Sequence, residues 1–401
     1  MRRRTALKMA AAAALIGSFA IGTAEAAQTI KIGAVAPKTG PLAGGSTVTH
    51  WPNIELWAAQ VNARGGIKLK DGMAKVEIVE YDDQTNPGET IKAVQRLATQ
   101  DKVDFIIAPY GTGLNLAAAP IFAKYGYPHI AVSAITDQIP ELSKRFPNMF
   151  FTLGSTSAFA QSVADILSKM NKDGKMGNKV AMVNVADAFG IELAAAARPI
   201  FEKAGLEIVY DKSYPLGTQD LSPVVKGAKA TKPDAFVAWS YPPDTFGLTK
   251  QSIIQDLDVK AFYTAVATCF PAYGGAFGKA IEGNLGAGGV NPDSSEFMAY
   301  QKAHKETTGK DADFWASATT YASLQILEQA IVSVGAPDRK AVIDHLKKGT
   351  FKTVLGDIKF NKNNNNEKFW TVGQWQNGVF QGVASTGRPG AKEVQLKAGW
   401  K

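Results

Sequence analysis

The sequence predicts an α/β protein of two lobes, each a parallel sheet with helices on both faces. Apolar segments typical of strands alternate with segments typical of helices, first over residues 29–134 and again over residues 179–265. Strands separated by helices form parallel sheets, so two such runs predict two doubly wound domains. The length of 401 residues also exceeds what one ordinary core supports.

The first 26 residues have the features of a secretory signal peptide. A positive start at residues 2–8 precedes an apolar run at residues 9–21, which is too short to span a bilayer easily. Ala24 and Ala26 then occupy the two positions that a signal peptidase reads. The paired arginines also suit twin-arginine export, so the route stays open. We therefore expect residues 1–26 to be removed and the mature protein to be periplasmic.

Composition excludes several classes of function. Removal of residues 1–26 takes away four basic residues and Glu25, which lowers the formal net charge from +8 to +5. The basic residues are scattered, so we expect no nucleic-acid partner. No later apolar run reaches transmembrane length, so we expect a protein that is not itself embedded in the membrane. Cys269 is the only cysteine and cannot form an internal disulfide; a small buried apolar role is expected.

The first run begins with a strand and contains one well-marked helix. That helix should start at Asn86, which can cap it, with Pro87 at the first helical position and Glu89 at the third. Gly126 lies where the next helix should end. The predicted strands of this run cover residues 29–37, 75–83, 103–110 and 128–134.

The second run repeats the pattern, and further helices follow it. The predicted strands cover residues 179–185, 206–214, 235–241 and 260–265, and the predicted helices cover residues 189–205, 221–230, 244–258, 316–335 and 338–349. The asparagine-rich residues 361–368 predict a short polar surface turn.

The turn Gly111-Thr112-Gly113 follows a predicted strand and opens a helix. A dinucleotide fingerprint would need a small residue at its sixth position, which is Leu116, and an acid near the end of the next strand, which is absent. The alternative is a site for a smaller anion, because free N–H groups at a helix start attract negative charge. Ser133 ends the neighbouring strand and could add a hydroxyl. A plain tight turn with a helix cap remains the structural alternative.

Five segments of the chain carry a family resemblance. They are "IKIGAVAPKTGPLA" (30–43), "VNARGGI" (61–67), the stretch 76–113, "HIAVSA" (129–134) and "ATTYASLQILEQAI" (318–331). With these the sequence resembles, over essentially the whole mature chain, the periplasmic binding proteins of the leucine/isoleucine/valine-binding type. The resemblance implies a type I binding protein, whose two α/β lobes are joined by three crossover strands and hold the ligand between them.

That resemblance also implies domain boundaries and partners. The crossovers should fall near residues 150, 287 and 353. Lobe 1 would then comprise residues 27–150 plus 288–353, and lobe 2 residues 151–287 plus 354–401. Such proteins deliver a small-molecule ligand to the membrane permease of an ABC importer and need no cofactor.

The same resemblance implies a set of ligand-binding residues. The hydroxyl that holds a ligand carboxylate falls at Thr112, beside Gly113, and a neighbouring strand end matches at Ser133 and Ala134. Lobe 2 supplies a covering aromatic at Phe189 and further aromatic candidates at Trp239 and Tyr241. Tyr110 adds one more aromatic side chain at the edge of the first sheet.

An acid that many members use to hold the ligand's ammonium group is missing here. The stretch after residue 265 reads "VATCF" and offers Thr268 as its only polar side chain. Burying an unpaired ammonium group is costly, so we expect a ligand without one, such as an aromatic or aliphatic carboxylate. Asp187 could replace the acid, but a solvated position or capping of the following helix is the role we expect for it.

Catalysis and ligand sensing are the two alternatives to solute capture. Catalysis is not expected, because the four histidines lack metal-ligand spacing and no nucleophile elbow or complete phosphate loop is present. A ligand-sensing module of a signalling system would use the same fold and remains the alternative.

Overall fold

The computed structural model describes residues 28–289, 294–367, 371–385 and 392–400. The predicted signal peptide, residues 1–26, lies outside the described residues, so its structure cannot be compared with the prediction.

The first lobe is built on a four-stranded sheet with strand order β2-β3-β1-β4. Strand β1 lies parallel to both β3 and β4, and Ile32 is in register with Ile78 on one side and Phe105 on the other. Two further strands, β5 and β6, pair in parallel beside it. The bounds are β1 (Gln28–Val35), β2 (Ile67–Leu69), β3 (Gly72–Tyr81), β4 (Phe105–Ile107), β5 (His129–Ala131) and β6 (Met149–Phe151).

Helices cover this sheet, and the predicted start of one of them is confirmed. The Asn86 side chain accepts hydrogen bonds from the N–H groups of Gly88, at 2.8 Å, and Glu89, at 3.2 Å. These are orphan donors of the first helical turn, which explains why the sequence marks this end so clearly. The helices are α1 (Ala43–Thr49), α2 (Trp51–Ala63), α3 (Pro87–Thr99), α4 (Thr112–Lys124) and α5 (Ile139–Arg145).

The second lobe contains a seven-stranded sheet with strand order β15-β14-β11-β10-β9-β7-β8. Its central strands are buried almost throughout, as expected where helices cover both faces. The strands are β7 (Lys179–Val185), β8 (Glu207–Tyr214), β9 (Ala235–Trp239), β10 (Ala261–Thr264), β11 (Leu285–Ala287), β14 (Thr371–Gln376) and β15 (Val379–Ser385). The helices are α6 (Thr156–Lys172), α7 (Ala188–Lys203), α8 (Ser222–Ala230), α9 (Pro242–Gln255) and α10 (Pro271–Phe277), followed by a 3₁₀ helix at Gly278–Ile281.

After β11 the chain returns to the first lobe. It forms α11 (Ser295–Thr308), α12 (Ala316–Val334), α13 (Arg339–Leu346) and a hairpin of β12 (Thr350–Thr353) and β13 (Gly356–Lys359). Ile358 and Phe360 pack in the core of the first lobe. The predicted boundary at residue 353 falls inside this hairpin, and the position of the third crossing stays a prediction. Apolar side chains from both strands of the hairpin, Phe351 and Ile358, pack in this core.

The asparagine-rich segment forms the predicted turn, with Lys362 and Glu367 exposed, but it also packs against residues 149–152. Asn364 and Asn366 are buried. Asn364 Nδ2 donates to the Met149 carbonyl at 3.0 Å, and Asn366 Nδ2 donates to the Thr152 carbonyl at 3.0 Å. Backbone hydrogen bonds also join this loop to Phe151. The segments predicted as the first and third crossings are therefore tied together by asparagine side chains.

Replacement of Asn366 by alanine should destabilise the protein, because the Thr152 carbonyl then loses a buried donor. We expect the free energy of unfolding to fall by about 1–3 kcal/mol. Urea unfolding followed by circular dichroism measures this change. Asn363→Ala is the control, since only the backbone of Asn363 makes a hydrogen bond in the loop. Equal stability of the two variants would contradict the assigned role of Asn366.

Candidate functional site

A sharp turn after β4 sets the edge of the first sheet. Gly111 has a φ angle of +93°, a conformation that other residues rarely adopt. A Cβ atom at this position would also lie 3.1 Å from Cδ1 of Leu42. The turn allows α4 to begin at Thr112 and leaves Tyr110 facing the second lobe. Glycine is required here by both backbone angle and space.

The hydroxyl groups of Ser133 and Thr112, which the sequence predicted as ligand contacts, stabilise this edge of the sheet. Ser133 Oγ accepts the N–H of Gly111 at 2.9 Å, and Thr112 Oγ1 accepts the N–H of Ile135 at 3.2 Å. The ends of the two neighbouring strands therefore meet, as their order predicts. The N–H of Gly111 and the hydroxyl of Thr112 already have protein partners, so their contribution to ligand binding remains a prediction.

A cavity of about 30 Å³ lies between the two lobes. The side chains of Tyr110, Phe189 and Tyr241 occupy much of the space around it. A cavity that takes up benzene measures roughly 150 Å³, so a solute enters only when the lobes separate or these side chains move. The cavity is lined by Thr49, Tyr110, Gly111, Val132, Ser133, Ile135, Leu153, Phe189, Tyr241, Val266, Trp315, Ala316, Thr319 and Thr320.

The aromatic wall from the second lobe is a stacked pair. The rings of Phe189 and Tyr241 lie 4.8 Å apart with an interplanar angle of 29°. The Tyr241 hydroxyl is buried and makes no hydrogen bond of standard geometry with a described residue, although it lies near enough to the Asp187 carboxylate to interact with it. Burial and the nearby Asp187 carboxylate both raise the pKa of Tyr241 well above its ordinary value. This hydroxyl therefore stays protonated and can donate.

Tyr110 supplies a second phenol from the first lobe. Its hydroxyl lies against Gly45, where a Cβ atom would collide with it. Burial is the main cause that raises the pKa of Tyr110, with a smaller contribution from the charge of Asp313. No hydrogen bond involves the Tyr110 hydroxyl within the described parts of the chain. One phenol from each lobe thus lines the cavity.

Four predicted residues, Tyr110, Ser133, Phe189 and Tyr241, lie on the cavity wall, and the other five do not. Trp239 is buried in the core of the second lobe, with its ring 5.8 Å from that of Tyr263. Thr268 donates to the Thr264 carbonyl at 2.8 Å within that lobe. The remaining three predicted residues stand beside the wall and are Thr112, Gly113 and Ala134.

Sequence reasoning missed the part of the wall that α12 provides. Trp315, Ala316, Thr319 and Thr320 line the cavity from the start of this helix. Thr319 follows Trp315 by four positions and Thr320 follows Ala316 by four, which places each pair on one helical face. The family resemblance covers residues 318–331, and this spacing was the signal that could have identified the wall residues.

The buried acid Asp313 positions this end of α12. Its carboxylate accepts the N–H groups of Trp315 and Ser317, each at 2.8 Å. Burial raises its pKa, and the hydrogen bonds partly offset that effect. Asp313 is not on the cavity wall, so it fixes Trp315 without meeting a solute directly.

Asp187 caps a helix, as the simpler interpretation of the sequence expected. It precedes α7, and its side chain accepts the N–H of Gly190 at 3.0 Å. Burial raises its pKa. Asp244 lies behind Tyr241, accepts the Tyr241 N–H at 3.2 Å, and has a pKa raised by burial to about 6. Neither acid is among the described residues that line the cavity.

The lobes also meet outside the cavity. Gln138 of the first lobe donates to the Glu192 carboxylate of the second at 3.2 Å. A Cβ atom at Gly113 would lie 4.0 Å from that of Ala188. The structure therefore represents a closed arrangement of the two lobes.

Searches of the described residues for other kinds of site gave negative results. No group of three or more histidine, cysteine, aspartate or glutamate side chains is placed to hold a metal ion. Among the same residues, none of the helices combines the length and apolar character needed to cross a membrane.

Comparisons with known proteins agree with this architecture. A family model described as periplasmic binding protein matches residues 29–379. The Leu/Ile/Val-binding protein homolog 7 of Brucella suis is 26% identical over 386 residues, which cover 90% of this chain and 93% of the relative.

Solved structures share the fold. The branched-chain amino acid transporter substrate-binding protein LivJ of Streptococcus pneumoniae, in complex with isoleucine, has a TM-score of 0.77 at 23% identity, covering 89% of this chain and 100% of that one. A solute-binding protein of an ABC transporter from Rhodopseudomonas palustris, in complex with benzoate, has a TM-score of 0.76 at 20% identity, covering 92% and 99%. The sequence-based prediction of family and fold is confirmed. The chain belongs to the periplasmic binding protein family, has the type I fold, and is similar to Leu/Ile/Val-binding proteins.

Proposed function

We propose that this protein is the extracytoplasmic solute-binding component of an ABC importer, in which the two lobes close on a small organic carboxylate. Membership of the family supports a place outside the cytoplasm and a permease as partner. The observation that carries the proposal is the cavity between the lobes, with Tyr110 on one side and the Phe189–Tyr241 pair on the other.

The chemistry of the wall supports a carboxylate that lacks an ammonium group. Two protonated phenols, Tyr110 and Tyr241, can donate hydrogen bonds to an anionic oxygen, and such charge-assisted bonds are strong. No carboxylate is present among the described lining residues to pair with an ammonium group. The structural relatives were solved with isoleucine and with benzoate; the aromatic stack and the lack of a wall acid favour the second kind of ligand.

The mechanism follows from the two-sided wall. A solute that contacts both lobes binds the closed form better than the open one and so shifts the population toward closure. The closed pair of lobes then presents the bound solute to the permease. No chemical change of the solute is needed, and the protein acts by binding and release.

A ligand panel tests this function. Titration calorimetry with benzoate, leucine and short-chain carboxylates should give saturable binding of an aromatic or aliphatic carboxylate that is at least tenfold tighter than binding of leucine. Bound ligand should also raise the melting temperature, because it stabilises only the folded state. Tight leucine binding would overturn the ligand class, and no response to any compound would overturn solute capture.

Tyr241→Phe should weaken carboxylate binding about 10- to 100-fold, since it removes one hydrogen bond to a charged group, worth about 1.5–3 kcal/mol, and keeps the stacked ring. Stability should change little, because the buried hydroxyl makes no hydrogen bond of standard geometry with a described residue. Calorimetry with benzoate and thermal unfolding measure the two effects. Tyr263→Phe is the matched control: it removes another buried, unpartnered hydroxyl from the core. Weakening in both variants would refute a direct role for Tyr241.

Carboxylate affinity should rise as the pH is lowered from 7.5 to 5.5, where benzoate itself stays ionised. Asp244, with its pKa of about 6, becomes protonated over this range, and Asp187 has a raised pKa in the same direction. Protonation of these two carboxylates removes negative charge that repels an anionic ligand.

Asp187→Asn keeps a helix-capping side chain but removes one charge. It should bind benzoate on the order of threefold more tightly at pH 7.5 and show a weaker pH dependence. Calorimetry at several pH values checks this expectation. Weaker binding at pH 7.5 would show that the charge of Asp187 supports the ligand.

A further inference from the structure

A second, larger depression lies outside the ligand cavity. This groove has a volume of about 800 Å³ and runs between the two lobes. The first lobe contributes α11 and the loop before α12, and the second contributes α10, the 3₁₀ helix and the β14–β15 turn. Its lining residues are Pro271, Gly274, Gly275, Gly278, Lys279, Gln301, Lys302, Lys305, Asp311, Ala312, Phe314, Trp375 and Gly378.

The floor of the groove is aromatic and held in place. Trp375 Nε1 donates to the Thr268 carbonyl at 2.6 Å, which fixes the indole ring. Phe314 stands edge-on to it, with ring centroids 6.5 Å apart and an interplanar angle of 89°. Gly274 allows the indole to approach α10, since a Cβ atom there would lie 2.7 Å from the ring. Trp375 is 5% exposed and Phe314 is half-buried, so the floor presents a small apolar surface to the groove.

The rim of the groove is positively charged. Lys279, Lys302 and Lys305 line it, and Asp311 is the one acid among the described lining residues. Lys305 pairs with Asp311 at 2.9 Å, whereas Lys302 is 3.9 Å from Glu306, which lies off the groove. Lys279 has no ion pair with any described residue. The lining thus carries an excess of two positive charges.

We propose that this groove binds an amphipathic organic anion, with its apolar body against Trp375 and Phe314 and its anionic group among the lysines. The volume lies within the range of about 300–1,000 Å³ that small-molecule sites occupy. An apolar floor with a few polar groups at one side is the composition that such sites share. The lysines at the rim favour a ligand with a negative charge. This site is separate from the cavity and does not depend on the function proposed above.

The groove adjoins the ligand cavity. Phe314 lines the groove and the next residue, Trp315, lines the cavity, so one short segment forms the wall between the two sites.

The test uses 8-anilinonaphthalene-1-sulfonate, an aromatic anion whose fluorescence rises in apolar surroundings, titrated into the purified protein. Gly275→Leu fills the groove, because a Cβ atom at Gly275 meets no other atom within 4 Å. Lys279→Ala combined with Lys302→Ala removes two exposed charges from the rim. Lys226→Ala combined with Lys250→Ala, on exposed positions of α8 and α9, is the charge-matched control.

We expect saturable binding that both groove variants weaken about fivefold and the control leaves unchanged. Raising the salt concentration should weaken binding to the unaltered protein more than to the variant with two rim lysines removed. Unchanged binding in both groove variants would overturn the site. Weakening by Gly275→Leu alone would overturn the assignment of an anion. The lysine variants alter exposed side chains only, so the test does not depend on how Gly275→Leu folds.

Discussion

Backbone geometry at the edge of the first sheet determines where every later part of the site can lie. Gly111 turns with a φ angle of +93°, and its N–H reaches Ser133 Oγ at 2.9 Å. Together with the hydrogen bond from the Ile135 N–H to Thr112 Oγ1, this hydrogen bond joins the ends of two strands that lie at the same edge of the sheet. Tyr110 is thereby held against α1 and toward the second lobe. Without that turn, the phenol of the first lobe would not oppose Tyr241.

The helices and strands were predicted well from the sequence, because neighbouring residues determine where these elements begin and end. Asn86 caps α3 through its own neighbours, and the buried strands follow apolar runs. Trp239 and Tyr241 show where such signals end: Trp239 closes β9 inside the core, whereas Tyr241, two residues on, caps α9 and reaches the cavity. The sequence does not show which of these two side chains lines the cavity, because that depends on how the lobes pack against each other.

Long-range contacts account for the parts of the site that the sequence did not reveal. Trp315 reaches the cavity only because α12 returns to the first lobe after the chain has built most of the second. Ser133 and Thr112 were chosen for their hydroxyls, and those hydroxyls bond to the backbone of the adjoining strand end. These hydroxyl side chains indicated a polar edge of the first sheet. Whether each hydroxyl binds the protein backbone or a solute depends on distances that only the folded chain defines.

The asparagines that tie the segments predicted as the first and third crossings have a practical consequence for biosensors. They lie in the predicted joint, and none of them is on the cavity wall, so they influence the resting angle of the lobes without meeting the solute. Apparent affinity equals the intrinsic affinity multiplied by the fraction of molecules in the competent arrangement. The working range of a fluorescent reporter made from this protein could thus be tuned at the joint while its selectivity is preserved.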